Sequence, residues 1–206
     1  GEAFLRWLIA ERKLVGVDGK DVYADYEARV RRDKARGYAF AATVMAGMKE
    51  DDVRSLAEQF FSRHFFGRVY KPMEEFVARL RSSGRQVWIV SASNRWIVAA
   101  GADKLGIEPE RVLGIDLEVK DGILTEKARR PVPYASGKVA AIKKFIGSRP
   151  ALVVGDSSGD TDMLRYSDGP AVLVTHGDRT DPELIKLGRK KGWLTQDLPL
   201  LPAWKP

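Results

Sequence analysis

Apolar positions in the first seventy residues recur at helical spacing, and no strand-like alternation interrupts them. Leu5, Leu8, Ile9 and Leu14 make one apolar face, and Gly16-Val17-Asp18-Gly19 carries turn chemistry. Residues 21–35 and about 38–48 read as two further helices separated near Gly37. Asp51 or Asp52 is placed to cap another, running through Val53, Leu56, Ala57 and Phe60. Residues 1–70 are therefore expected to form a small all-helical unit.

After Tyr70 the pattern changes to short apolar runs alternating with amphipathic ones. Pro72 suits the first turn of a helix that carries Phe76, Val77 and Leu80 and stops at Ser82-Ser83-Gly84. Val87 to Val90 then reads as a buried strand, followed by a helix over 95–104. Lys120-Asp121-Gly122, between the alternations Val112–Val119 and Ile123–Thr125, is a hairpin signal. A helix over 137–146, a strand at 151–154, a helix over 160–166 and a strand at 171–174 complete the series. Strands alternating with helices predict an α/β core, a parallel sheet with helices on both faces, over residues 71–206.

Composition removes several classes of function. The longest apolar runs fall short of the ~20 residues that a membrane span needs. With no cysteine in 206 residues, neither a disulfide nor a thiolate metal site is available. That fits a cytoplasmic protein, although the opening pattern Glu2 to Ile9 leaves room for a signal peptide removed upstream. The net charge of +7 raises the question of nucleic acid, but residues 71–150 carry the excess, 15 basic against 9 acidic. The densest run, Arg29, Arg31, Arg32, Lys34 and Arg36, wraps around a helix and makes no stripe. A solvated face is the simpler reading, and a basic surface equally draws in small anionic esters.

Three motifs carry the candidate chemistry. Val153 to Leu164 contains Gly155-Asp156-Ser157-Ser158-Gly159-Asp160 where an apolar strand meets a helix, the crevice position at which parallel sheets place ligands. Two carboxylates four apart across small residues can converge on a hard cation. Mg²⁺, which takes few protein oxygens beside water and phosphate, is the expected cofactor. Asp156 is the better direct ligand and Asp160 a second ligand or an anchor behind it, whereas Asp162 suits a helix first turn. The second motif is Ser91-Ala92-Ser93-Asn94, another strand end entering a helix. There a hydroxyl and backbone N–H groups, including that of Ala92, make an anion site, and Ser93 or Asn94 serves as an N-cap. The third is Lys138, whose place at the start of a helix opposes the macrodipole and so points to a local anion. His64, among phenylalanines, and His176, after a strand, read as packed or capping residues. Trp96 and Tyr134 are the aromatics nearest the motifs should any face a cationic head group.

In this order the motifs resemble the haloacid dehalogenase superfamily, in particular its phosphoserine phosphatase-like branch, phosphocholine phosphatase-like members included. Ser91 matches the family's second motif, Lys138 its third, and Asp156 with Asp160 its fourth. The resemblance implies a Rossmann-like core and makes residues 1–70 the helical cap. It implies a Mg²⁺-dependent phosphatase acting on a small phosphorylated metabolite through an aspartyl-phosphate. Ser91 would bind a phosphoryl oxygen, Lys138 would offset charge, and Asp156 with Asp160 would hold the metal. The family's first strand, ending in Asp-x-Asp, has no counterpart in residues 1–70. Nucleophile and first core strand are therefore expected upstream of Gly1, and a protein made as written is expected to be inactive and aggregation-prone. Rival readings are a phosphotransferase or dehalogenase on the same fold, and a non-catalytic ligand-binding protein. A nucleic-acid module ranks last.

Overall fold

The computed structural model describes residues 1–17 and 21–199, which fall into two compact units dividing between Val132 and Pro133. The first contains α1 (Glu2–Ala10), α2 (Val22–Arg32), α3 (Lys34–Thr43), α4 (Glu50–His64), α5 (Lys71–Ser82) and α6 (Arg95–Lys104). Its strands are β1 (Ile89–Asn94), β2 (Val112–Ile115), β3 (Leu117–Lys120) and β4 (Ile123–Ala128). The second unit has α7 (Ser136–Phe145), α8 (Thr161–Arg165) and α9 (Pro182–Lys191), with β5 (Val153–Gly155), β6 (Ala171–Thr175) and β7 (Leu194–Asp197).

Pairing within the sheets is parallel wherever a helix intervenes, as the alternation predicts. β1 runs parallel to β2, with Val90 opposite Leu113. β5, β6 and β7 form a three-stranded parallel sheet in that order. The antiparallel pair β3 and β4 turns at Asp121 and Gly122, both at positive φ (50° and 77°), the backbone that makes Asp-Gly a hairpin signal.

The first unit has several buried apolar clusters, one of which draws on helices and strands alike. Phe4, Trp7 and Phe60 pack ring to ring at centroid distances of 5.4 to 6.0 Å, and Ala42, Met45, Trp96, Ile115, Leu117 and Leu124 close around them. Side chains from the N-terminal helices thus share an interior with both of the unit's strand pairs. The 47–50 segment also adds to the hairpin, since Gly47 N donates to Leu124 O, Leu124 N to Met48 O and Glu50 N to Gly122 O. In the second unit Ile142, Val153, Leu164 and Leu173 are buried.

Several boundaries differ from the sequence expectation. Residues 112–115 belong to the parallel sheet, so the hairpin is shorter than its apolar alternation. The strand after Val87 begins at Ile89 and runs through Ser91 to Asn94. Helix α4 starts at Glu50, with Asp51 and Asp52 inside its acidic first turn, where they favour the positive helix end without capping it. Asp18 and Gly19 of the expected turn lie outside the described residues.

Gly37 does not separate helices but sits within α3, where a Cβ would meet Val30 N at 2.6 Å. The break falls at Asp33, which ends α2 and caps α3 by accepting from Arg36 N at 3.1 Å. Glycine at 37 therefore serves the close crossing of α2 over α3. Gly37→Ala is expected to destabilise the protein by about 1–3 kcal/mol through overpacking, although alanine is the better helix former. Chemical denaturation checks this, because propensity alone predicts the opposite sign.

Candidate functional site

The loop after β5 is organised by one carboxylate. Asp160, buried, directs Oδ2 back at the strand end, where it accepts from Asp156 N (3.1 Å), Ser157 N (3.0 Å) and Ser157 Oγ (2.8 Å). Its other oxygen, Oδ1, lies 2.7 Å from Lys138 Nζ, and both side chains are at most 10% exposed. The anion inferred from lysine's unfavourable place in the first turn of α7 is thus Asp160. Burial works against the charge of Asp160, but the Lys138 ammonium and the hydrogen bonds from Ser157 and Asp156 N outweigh it and hold the carboxyl below its ordinary range. With both oxygens engaged, Asp160 acts in this geometry as the anchor behind the loop.

Small residues make the anchoring possible. A Cβ on Gly155 would stand 2.6 Å from Asp160 Cβ, so any side chain at 155 displaces the carboxylate. Tyr134 packs over the other limb of the loop, where a Cβ on Gly159 would come within 2.9 Å of its ring. Helix α7 is entered through Ala135 at φ 48° and ψ −123°, a backbone state that suits glycine. Holding alanine there costs on the order of 1–3 kcal/mol. Ala135→Gly is expected to raise stability by about 1 kcal/mol, the strain relief less glycine's entropy. A thermal melt reads this directly.

Asp156 contrasts with its neighbour. Its side chain is 60% exposed at the C-terminal end of β5. The protein packed against its other side, followed by the charge of Asp160, raises its carboxyl above the ordinary range, while His176 acts the other way. A single accessible carboxylate beside a strand end suits Mg²⁺, which is held by one or two carboxylates with water and phosphate oxygens completing its shell. Among the described residues no three or more His, Asp or Glu side chains converge on one point.

Sequence reasoning gave His176 no partner, yet the fold places it at this site. It follows β6, whose residue Leu173 pairs with Gly155 of β5, so Asp156 and His176 emerge from the C-terminal ends of adjacent parallel strands. The ring nitrogen Nδ1 lies 3.0 Å from Leu198 O, and Nε2 lies 3.7 Å from Asp156 Oδ2. The adjacency was implicit in two expected strands, but β7 and the Leu198 carbonyl beyond it had no apolar pattern to announce them.

Ser91, Ala92 and Ser93 belong to the first unit, in the second half of β1 just before α6. Ser93 N donates to Ser91 Oγ at 3.2 Å, and Asn94, buried, caps α6 by accepting from Ile97 N at 3.1 Å. The N-cap is therefore Asn94, which leaves the two serines to line the strand end. Gly1 lies beside them, close enough that a Cβ there would approach Ser93 Oγ to 2.9 Å. Trp96 is a core residue, buried and donating Nε1 to Glu50 Oε1 at 3.2 Å, and His64 packs against the Phe60 ring.

Parallel strands alternating with helices define an α/β protein, with a carboxylate loop after β5 and two serines near the end of β1. A sequence model of haloacid dehalogenase-like hydrolases matches residues 3–165, and the chain belongs to that family. A putative hydrolase and phosphoserine phosphatase SerB1, both of Mycobacterium tuberculosis, are each 25% identical over 170 residues, 80% of this chain and 53% of theirs. The chain spans about half the length of these curated relatives. Among solved structures, a Bordetella pertussis protein of unknown function superposes with a TM-score of 0.76 at 17% identity, covering 95% of this chain and 91% of its own. A phosphoserine phosphohydrolase-like protein of Francisella tularensis gives 0.61 at 13%, covering 95% and 87%. At such identities these two establish a shared fold. None of the described helices is long and apolar enough to cross a membrane.

Proposed function

We propose that this protein is a Mg²⁺-dependent phosphatase that hydrolyses a small phosphomonoester through an aspartyl-phosphate. The observation that carries the reading is the Asp156 loop, an accessible carboxylate held in place by the buried pair of Lys138 and Asp160. Membership of a hydrolase family and the phosphoserine phosphatase name of one relative support a phosphate ester as the substrate class.

In this reading Ser91 donates its hydroxyl to a phosphoryl oxygen and the backbone N–H of Ala92 supports it. Lys138, neutralised by Asp160 at rest, sets a positive charge against the accumulating negative charge of phosphate and nucleophile. Asp156 binds the cation, and Asp160 fixes the loop so that Asp156 has one orientation. Bound Mg²⁺ supplies Lewis-acid stabilisation of the transferred phosphoryl group. The attacking aspartate is none of these residues, each of which has another task. Residues 1–70 act as the cap that excludes water and limits the substrate to a small phosphorylated alcohol or amino-alcohol.

The full-length protein is expected to release phosphate from an aryl phosphate with Mg²⁺ present and to stop when a chelator is added. Exchange of residues 1–70 for those of a relative is expected to move substrate preference with them. Turnover that persists in chelator rejects the metal role, and efficient dephosphorylation of a folded phosphoprotein rejects the cap.

A further inference from the structure

We propose that Asp121-Gly122, the tip of the β3–β4 hairpin, is a site of spontaneous isoaspartate formation, and that the modification releases the start of α4 from the hairpin. The inference concerns the backbone of the first unit and stands apart from the phosphatase reading.

Asp-Gly occurs at 18–19, 121–122 and 168–169, so the sequence alone offers three candidates. The reaction needs an aspartate whose carboxyl is unengaged and a following amide nitrogen outside any hydrogen bond, on a residue with no side chain in the way. Asp121 and Gly122 are both exposed. Among the described residues, the Asp121 carboxylate makes neither an ion pair nor a hydrogen bond, and Gly122 N donates to no acceptor. Asp121 also stands at φ 50°, a backbone state unfavourable to a residue with a Cβ, which opening of the turn relieves. Hairpin tips open locally at little cost.

Asp168-Gly169 is the contrast. The Asp168 carboxylate lies 2.8 Å from Arg149 Nε, and the same guanidinium donates to Tyr166 O and Ser167 O, each at 3.1 Å. Asp168 N donates to Pro150 O at 2.8 Å, and a Cβ on Gly169 would meet Ala151 O at 2.2 Å. Both the electrophile and the chain that must swing are held there. Asp18-Gly19 lies outside the described residues.

The chemistry balances with water alone. Gly122 N attacks Asp121 Cγ, a C–N bond forms, and the carboxyl hydroxyl leaves with the amide proton as water. A second water then opens the succinimide ring. Opening at Cγ restores aspartate, whereas opening at the main-chain carbonyl sends the chain through Cβ and Cγ and leaves the α-carboxylate as the side group. The product has the same mass and one more backbone carbon. That carbon falls in a two-residue turn whose Gly122 carbonyl accepts from Glu50 N at 2.8 Å. Glu50 is the first residue of α4, and its Oε1 accepts from Trp96 Nε1 at 3.2 Å. Lengthening the turn displaces the carbonyl, and the helix start loses its acceptor.

The test ages the full-length protein in warm neutral buffer and maps it with an endoproteinase that cuts before aspartate but not before isoaspartate. In the folded protein isoaspartate is expected to accumulate at 121 at least about tenfold faster than at 168, a contrast that disappears when the chain is unfolded in urea. Asp121→Glu is expected to abolish the modification at 121. Arg149→Ala is expected to raise the rate at 168 severalfold, which ties the contrast to the ion pair and not to the neighbouring sequence. Hydrogen exchange of the aged protein is expected to show the Glu50 amide losing protection. Equal rates at both sites in the folded protein, or an intact Asp121 where the unfolded chain reacts, overturns the site. Unchanged exchange at Glu50 in protein that carries isoaspartate overturns the link to α4.

Discussion

Asp160→Asn is expected to cost about 3–5 kcal/mol, because it leaves the Lys138 ammonium buried without its counter-charge. Asparagine can still accept from Asp156 N and Ser157 through its carbonyl, but its NH₂ then faces the Lys138 ammonium, so the loss combines the missing counter-charge with a donor set against a donor. A buried ion pair is poor evidence of net stabilisation, since desolvating both groups offsets much of their attraction. The single variant nonetheless suffers fully, and the double variant Asp160→Asn with Lys138→Met is expected to recover most of the loss. Denaturant melts of the four proteins form a cycle whose coupling energy measures the pair, and additive losses would contradict it. Acid offers an independent check. Because the folded Asp160 carboxyl is held below its unfolded value of about 3.9, its contribution is complete above that pH and disappears as the pH falls through the lower folded value. The wild type should therefore lose this stability only in strong acid, and Asp160→Asn should lack that part of the acid transition.

Asp156→Asn is expected to lower Mg²⁺-dependent turnover about 100- to 1,000-fold while leaving the melting temperature close to that of the wild type. The separation of the two effects follows from exposure, since the Asp156 side chain is 60% accessible while the loop is held through Asp160. Steady-state kinetics over a range of Mg²⁺ concentrations would show whether added metal restores activity, as it should when affinity is what has been lost. Near-normal metal-dependent turnover in the variant would remove Asp156 from the site. The pair of variants thus divides the loop's two carboxylates by task, one felt mainly in stability and the other mainly in catalysis.

The alternation of apolar strands and amphipathic helices was enough to read the parallel α/β core, because buried strands such as Val153–Gly155 and Ala171–Thr175 are continuous apolar runs. Strand β7 was not legible. Its residues Leu194, Thr195, Gln196 and Asp197 are all exposed, and its pairing comes from backbone bonds to β6. Gly37 misled because a glycine between helical patterns reads as a breaker, whereas a close helix crossing demands the same residue for want of a side chain. At the candidate site, spacing made Asp156 the better direct ligand but left Asp160 open between a second ligand and an anchor behind it. Which carboxylate is buried, and which lysine it meets, depends on α7 packing against the loop, a contact between residues 22 apart that no local pattern contains. His176 needed one step more, the adjacency of two strand ends and a carbonyl from beyond β7.

The dependence of the Asp156 loop on Gly155, Gly159, Tyr134 and Lys138 bears on its portability. Grafted into another parallel sheet, the six residues from Gly155 to Asp160 would bring the carboxylates but not the ammonium that Asp160 faces, nor the ring that closes over Gly159. An unpaired Asp160 would turn outward to water or take up a proton, and Asp156 would lose its fixed bearing. The transferable unit is thus the whole stretch from Tyr134 to Asp160, helix included, and a designer who borrows the short signature alone borrows its spelling without its grammar.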